Sequence, residues 1–158
     1  MTTLSVPLTP ELAKFIEEVT KSSGLTKSDI MRQALTFYAE EQAVRKVLLA
    51  DKAHLTRLLT DIPTQMGMHI ITEPQVVEVG ELNSKDPGGI SGFVMIAESH
   101  ISYHTFPKRG FVTADIYTCQ NDLDTDAFTL LLCKVFGTTD YDIQVIKRGL
   151  RYPAKNNA

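Results

Sequence analysis

The chain has 158 residues, 43% of them hydrophobic, and contains no tryptophan, so it can bury one ordinary core with room for a small appendage. Its formal charge of −3 excludes a global attraction to polyanions, and its two cysteines exclude a disulfide framework. The first residues lack a basic segment followed by an apolar run, and no later stretch approaches the roughly 18 apolar residues of a membrane span. We therefore expect a cytoplasmic protein with no membrane partner.

The N-terminal residues predict one strand and two helices. Residues 2–8 alternate apolar and polar side chains, the pattern of a short strand. Thr9 and Pro10 supply a helix cap and a proline at the first helical position, which predicts a first helix. A second helix is predicted to begin near Thr26 and to run toward Glu41. These elements are too few to fold alone.

This strand-helix-helix pattern, with "PELAKFIEEV" and "SSGLTKSDIMRQAL" in register, resembles the ribbon-helix-helix family of small repressors and antitoxins over residues 2–43. In that family, two chains pair their strands into a ribbon that enters the DNA major groove, and a helix N-terminus binds a phosphate. The resemblance implies a homodimer, with DNA contacts at Thr3 and Ser5 on the strand and at Lys27 and Ser28 on the second helix.

The residue types in this module argue against tight operator binding. Neither Thr3 nor Ser5 is among the Arg, Lys, Asn and Gln side chains that make bidentate base contacts. Residues 1–50 carry six basic and six acidic side chains, which gives no positive field. We interpret the module mainly as a dimerisation element, with operator binding as the alternative.

The remainder of the chain predicts an α+β domain. A third amphipathic helix is expected from about Val44 to Met66. Four segments rich in β-branched and aromatic residues then predict strands, namely "QVVEVGEL", "ISGFVMIA", "SHISYHTF" and "GFVTADIYTC". The segment "DTDAFTLLLCKVFG" predicts a capped helix and "DIQVIKR" a last strand. We expect two domains, at residues 1–45 and 46–158.

Five chemically active residues lie within the predicted strands. Ser91 stands eight residues before Ser99, Glu98 immediately precedes Ser99, and His104 and Cys119 follow it by five and twenty residues. Each of them, taken alone, is more often a structural residue of a sheet or core. Their joint spacing in "GGISGFVMIAESHISYHTFPKRGFVTADIYTC" favours a shared chemical role.

This segment resembles the self-processing segment of the prokaryotic S-adenosylmethionine decarboxylases, pyruvoyl enzymes of spermidine and polyamine synthesis. The resemblance covers about residues 53–152. It implies a two-layer sandwich in which helices cover one face of an antiparallel sheet. The strand that usually begins this fold is absent here, because the N-terminal module leads directly into the third predicted helix.

The resemblance also assigns roles. Ser99 attacks the carbonyl of Glu98, the chain is cleaved between them, and Ser99 becomes the pyruvoyl cofactor. Ser91 stabilises the processing oxyanion and His104 acts as the processing base. The pyruvoyl group forms a Schiff base with the substrate amine and accepts electrons as CO2 leaves, and Cys119 then donates a proton. No metal ligand is implied.

Two alternatives remain open from the sequence. The segment "SKDPGG" has no aromatic residue to stack on adenine, so arginine or ornithine could replace S-adenosylmethionine as the substrate. The protein could also be a ribbon-helix-helix regulator that uses a decarboxylase-like domain as a sensor. His54 and His69 are expected at the surface or at an interface.

Overall fold

The computed structural model describes residues 7–120 and 123–148. In this part of the chain it contains four α-helices, four β-strands and one short 3-10 turn. The helices are α1 (Pro10–Ser23), α2 (Lys27–Ala50), α3 (Lys52–Gln65) and α4 (Thr125–Phe136), and the strands are β1 (Gln75–Val79), β2 (Gly89–Ile96), β3 (Ser99–Phe106) and β4 (Phe111–Thr118), with the turn at Pro107–Arg109. The predicted α+β class is confirmed.

Polar side chains cap α1 and α2 as their sequences predict. The Thr9 hydroxyl accepts a hydrogen bond from the backbone N–H of Leu12 at the start of α1. Thr26 and Asp29 form a reciprocal capping box at the start of α2. These caps satisfy N–H groups that have no partner within the helix, which is why the helices begin where they do.

The predicted start of the third helix, near Val44, is wrong. Helix α2 continues to Ala50, and α3 begins only at Lys52. Leu49 is completely buried, so core packing holds the last turn of α2 in place. Asp51 between them is extended and its carboxylate accepts the backbone N–H of His54, which starts a new helix. The apolar periodicity continues across this break and conceals it.

The four strands form one antiparallel sheet in the order β1-β2-β3-β4. Helix α3 packs against β1, β2 and β3, and α2 packs against β2 and β3. The sheet face beneath the helices, which we call the inner face, carries the buried strand residues Ile90, Val94, Ile96, Ile101, Tyr103 and Thr105. The other face, which we call the outer face, carries the alternate residues of each strand. The predicted arrangement of helices beside one antiparallel sheet is therefore present.

Two glycines of "GGISG" permit close packing on the inner face. A Cβ at Gly92 would collide with the Tyr103 ring, and a Cβ at Gly89 would collide with the backbone carbonyl of Thr105. Tyr103 is 2% exposed, and burial raises the pKa of its phenol. The glycines therefore let β2 approach β3 and its buried side chains.

Other boundary predictions had mixed outcomes. The predicted strand at residues 142–148 is wrong, because these residues lie in neither a helix nor a strand and Ile143, Val145 and Ile146 are exposed. Strand β1 ends at Val79, before the predicted end of its segment. Of the predicted strand at 2–8, residues 2–6 lie outside the described residues. Within the described ranges, no helix is long and apolar enough to cross a membrane.

Candidate active site

The predicted cleavage junction lies in a tight hairpin. Ile96 of β2 pairs with Ser99 of β3, so Ala97 and Glu98 form a two-residue turn between them. Ser99 has a φ of +146°, and it alone among the described non-glycine residues has a positive φ. Such a backbone conformation costs on the order of 1–3 kcal/mol and persists only where surrounding structure holds it. The peptide that is expected to react is therefore strained.

The carbonyl of this peptide is hydrogen-bonded. The backbone N–H of Cys119, immediately after β4, donates to the Glu98 carbonyl oxygen at 3.0 Å. A donor in this position polarises the carbonyl and would stabilise negative charge on its oxygen. The structure thus brings three predicted residues, Glu98, Ser99 and Cys119, to one end of the sheet. The Cys119 residue is exposed there.

The other two predicted residues form a second pair. Ser91 of β2 lies opposite His104 of β3, and its Oγ is 2.9 Å from His104 Nδ1. Both side chains lie on the outer face, beside a cavity of about 120 Å³ that Asp86 and Phe106 also line. A hydroxyl and an imidazole at this distance can exchange a proton.

The two groups of predicted residues are not adjacent in one chain. His104 lies five residues beyond Ser99 along β3. At the usual rise of about 3.3 Å per residue, this places their backbones about 17 Å apart. The predicted strand "SHISYHTF" contains both residues, so the sequence already implied this separation. A single chain therefore does not bring the His104 imidazole to the Ser99 hydroxyl.

Two histidines to which the sequence analysis assigned no role contact the junction. The His69 ring Nδ1 is 2.8 Å from Glu98 Oε1, and its backbone N–H donates to Glu98 Oε2 at 3.1 Å. The hydrogen bond from the His69 side chain, followed by the one from its backbone N–H, lowers the pKa of the Glu98 carboxyl. No sequence signal joins residues 29 positions apart, so sequence reasoning could not have found this contact.

The second of these histidines, His100, lies beside the reactive serine. Its Nδ1 is 3.5 Å from Ser99 Oγ, at the limit of a hydrogen bond. The ring stands between Phe93 and Tyr117 on the outer face, with centroid distances of 5.4 and 5.6 Å. It belongs to the "ESH" triplet, so its position in the sequence was a signal that we did not use.

A larger cavity lies away from all these residues. It has a volume of about 530 Å³, lies between α2 and α4, and is lined by side chains that include Phe37, Val44 and Cys133. None of the predicted catalytic residues lines it.

No three His, Cys, Asp or Glu side chains in the described ranges are grouped so that they could hold a metal ion.

Of the two predicted DNA contacts on α2, Lys27 already has a protein partner. Lys27 Nζ lies 3.2 Å from the Glu17 carboxylate, and Asp29 in the capping box adds a negative charge at the same helix end. Ser28 is exposed. Thr3 and Ser5 lie outside the described residues. The helix end offers a phosphate less positive potential than an uncapped N-terminus would.

Comparisons with known proteins agree with both resemblances. The family model for S-adenosylmethionine decarboxylase matches residues 35–149, and the model for ribbon-helix-helix proteins of the copG family matches residues 2–42. The two matches overlap within α2.

Individual relatives support the first of these matches. An S-adenosylmethionine decarboxylase proenzyme of Archaeoglobus fulgidus is 30% identical over 112 residues, which are 70% of this chain and 93% of that protein. Proenzymes of Picrophilus torridus and Pyrococcus horikoshii are 43% and 39% identical over 63 and 64 residues, each 40% of this chain. Those two matches span about half of the relatives' length, 48% and 46% respectively. The family model matches most of this chain, and the chain therefore belongs to the S-adenosylmethionine decarboxylase family.

Proposed function

We propose that this protein is a self-processing, pyruvoyl-dependent decarboxylase that acts on S-adenosylmethionine. The observation that carries the proposal is the strained Ser99 backbone, next to a Glu98 carbonyl that accepts a hydrogen bond from Cys119. The curated relatives are named S-adenosylmethionine decarboxylase proenzymes, and a proenzyme is a chain that must be processed. The alternative substrates, arginine and ornithine, have no comparable support.

Self-cleavage would proceed through an ester. The Ser99 hydroxyl attacks the Glu98 carbonyl carbon, the carbon–nitrogen bond breaks, and the acyl group passes from nitrogen to oxygen. Removal of the Ser99 Cα proton then expels the Glu98 carboxylate and leaves dehydroalanine at residue 99. Tautomerisation and hydrolysis release ammonia and give the pyruvoyl group. The Cys119 N–H would stabilise the oxyanion of the first step.

The residues around the junction fit a pyruvoyl group at position 99. That group would supply the electron sink for loss of CO2. Cys119, held beside the junction by its backbone hydrogen bond, is proposed to donate the proton that replaces the carboxylate on the substrate. Glu98 would remain as the C-terminus of the first fragment.

We further propose that the processing base comes from a second copy of the chain. His104 and its hydrogen-bonded partner Ser91 are about 17 Å along the sheet from Ser99 in the same chain. Both lie on the outer face. Ser99 occupies an inner-face position of β3, but its Oγ lies 3.5 Å from the outer-face ring of His100 at the end of that strand. Two copies that pack their outer faces together in antiparallel fashion would therefore bring the pair of one chain to the Ser99 end of the other. The small cavity in one chain is also below the roughly 300 Å³ of ordinary ligand pockets, as expected of half a site.

The composition of the outer face supports such a dimer. It exposes large apolar side chains on three of the four strands, β1, β2 and β4, at Val77, Val79, Phe93, Met95, Phe111 and Tyr117. Large apolar side chains exposed on one face of a sheet are typical of a surface that another protein covers. Residues that a second copy would cover therefore adjoin the proposed catalytic groups.

We propose that residues 1–45 act mainly as a dimerisation module joined to the catalytic part, residues 46–158, through α2. Leu49 of α2 is buried in the core, and its carbonyl accepts a hydrogen bond from the Thr105 hydroxyl at 2.9 Å. Operator binding is the second candidate function, favoured by the ribbon-helix-helix match over residues 2–42. The pairing of Lys27 with Glu17 favours the dimerisation role.

Denaturing mass spectrometry of the purified protein tests the main proposal. We expect fragments of residues 1–98 and 99–158, the second one starting with a pyruvoyl group. The Ser99→Ala protein should stay whole because it has no hydroxyl to attack. CO2 release from S-adenosylmethionine, but not from arginine or ornithine, would establish the substrate. A wild-type chain that keeps its intact mass at neutral pH contradicts the proposal.

A gel-shift experiment with DNA of the protein's own promoter region separates the two roles of the N-terminal module. A dimerisation module should give only weak retention, which falls steeply with salt. Sequence-selective retention at physiological salt that is lost in the Lys27→Ala protein would instead establish operator binding.

A further inference from the structure

The segment that follows α3 extends the sheet beside the cleavage hairpin. Ile70 forms an isolated antiparallel bridge with Ile96, and the Ala97 N–H donates to the His69 carbonyl at 2.7 Å. The Ile71 N–H donates to the Met95 carbonyl at 3.1 Å. The buried Met68 attaches this segment to the core. His69 is thus held at a fixed place next to the hairpin turn.

His69 in turn holds the Glu98 side chain with two hydrogen bonds. Its ring and its backbone N–H each bind one carboxylate oxygen, at 2.8 and 3.1 Å. The Glu98 side chain is only 13% exposed, whereas that of His69 is 77% exposed. A carboxylate that accepts two donors, one of them charged when the imidazole is protonated, is more firmly placed than one with a single neutral donor.

Glu98 is therefore fixed from both ends. Its side chain is held by His69, and its carbonyl oxygen is held by the Cys119 N–H at 3.0 Å. Two attachments on one residue restrict rotation of the peptide that joins it to Ser99. Rotation of that peptide would relieve the strained φ of Ser99, and the two attachments oppose this rotation.

We propose that His69 is a positioning residue for self-cleavage, which keeps the Glu98 carbonyl on the Cys119 N–H and within reach of the Ser99 hydroxyl. The inference rests on the proposed function, since it concerns the same cleavage. His69 takes no part in bond making. Its contribution is to hold the reacting carbonyl close to the geometry of attack, which is where a small displacement is costly in rate.

The rate of precursor cleavage, followed on denaturing gels after cell-free synthesis, tests this role. We expect His69→Ala to slow cleavage by about tenfold or more, since one side-chain donor is lost from the reacting residue. His69→Asn should recover most of the rate, because the Asn amide nitrogen occupies the place of Nδ1 and still donates. His54→Ala is the matched control: it removes a histidine that bonds the Val135 carbonyl, far from the junction in sequence, and should leave the rate unchanged.

A double-mutant cycle shows whether His69 acts through Glu98. In the Glu98→Ala background, the His69→Ala substitution should have no further effect on the cleavage rate. Three results would overturn the proposal while leaving the proposed function intact. The losses of cleavage rate from the two substitutions could be additive, the His69→Ala protein could cleave at the wild-type rate, or the His69→Asn protein could cleave no faster than His69→Ala. A wild-type precursor that never cleaves would overturn both.

Discussion

The proposed sharing of a site between two chains can be tested with a pair of inactive variants. Ser99→Ala removes the attacking hydroxyl, and His104→Ala removes the proposed base. Every chain of either protein lacks one of the two groups, so neither protein alone can assemble a complete site. Each variant, expressed alone, should therefore remain uncleaved or cleave far more slowly than the wild type.

Co-expression of the two variants should restore cleavage in one chain only. In a mixed dimer, one site combines Ser99 of the His104→Ala chain with His104 of the Ser99→Ala chain, and the other site lacks both. Equal expression and random pairing place about half of the His104→Ala chains in mixed dimers. About half of these chains should therefore be cut, and the Ser99→Ala chains should all stay whole.

Denaturing mass spectrometry distinguishes the outcomes, since a terminal tag on one variant identifies which chain was cut. The control is a partner that carries both substitutions, which keeps the interface but offers no imidazole and should not rescue cleavage. Absence of cleavage in the co-expressed mixture would refute the shared site, provided that mixed dimers are recovered through the tag. A wild-type cleavage rate in the His104→Ala protein alone would refute the role of His104.

Four further results are expected. The Cys119→Ala protein should still cleave itself, at the wild-type rate or more slowly, but should lose most of its CO2 release. Full turnover by the processed variant would contradict the role of Cys119. Thr105→Val should lower the free energy of unfolding by about 1–3 kcal/mol in urea titrations, because it leaves the buried Leu49 carbonyl without its donor. Tyr103→Phe should raise that free energy by up to about 1 kcal/mol, because the buried Tyr103 hydroxyl has no hydrogen-bond partner in the described part of the chain; a lower value would show that this hydroxyl is satisfied. Deletion of residues 1–45 should weaken assembly in sedimentation experiments, and an unchanged dimer would show that the sheet faces suffice.

Local signals in the sequence determined much of this fold. The Thr9 cap, the start of α2 near Thr26, the strand β3 and the span of α4 were all predicted, because each depends on residues a few positions apart. The spacing around Ser99 likewise identified the family, since a chemical motif is conserved as residues at set distances along a chain.

Only the tertiary structure decided how those residues are grouped. The burial of Leu49 against the sheet and the contact of His69 with Glu98 depend on neighbours that are distant in sequence. The separation of His104 from Ser99 is a property of the strand that carries both, because five residues in a strand span about 17 Å whereas five in a helix span about half of that. Sequence spacing identifies which side chains belong to a reaction, and the geometry of the strand that carries them decides which can meet within one chain.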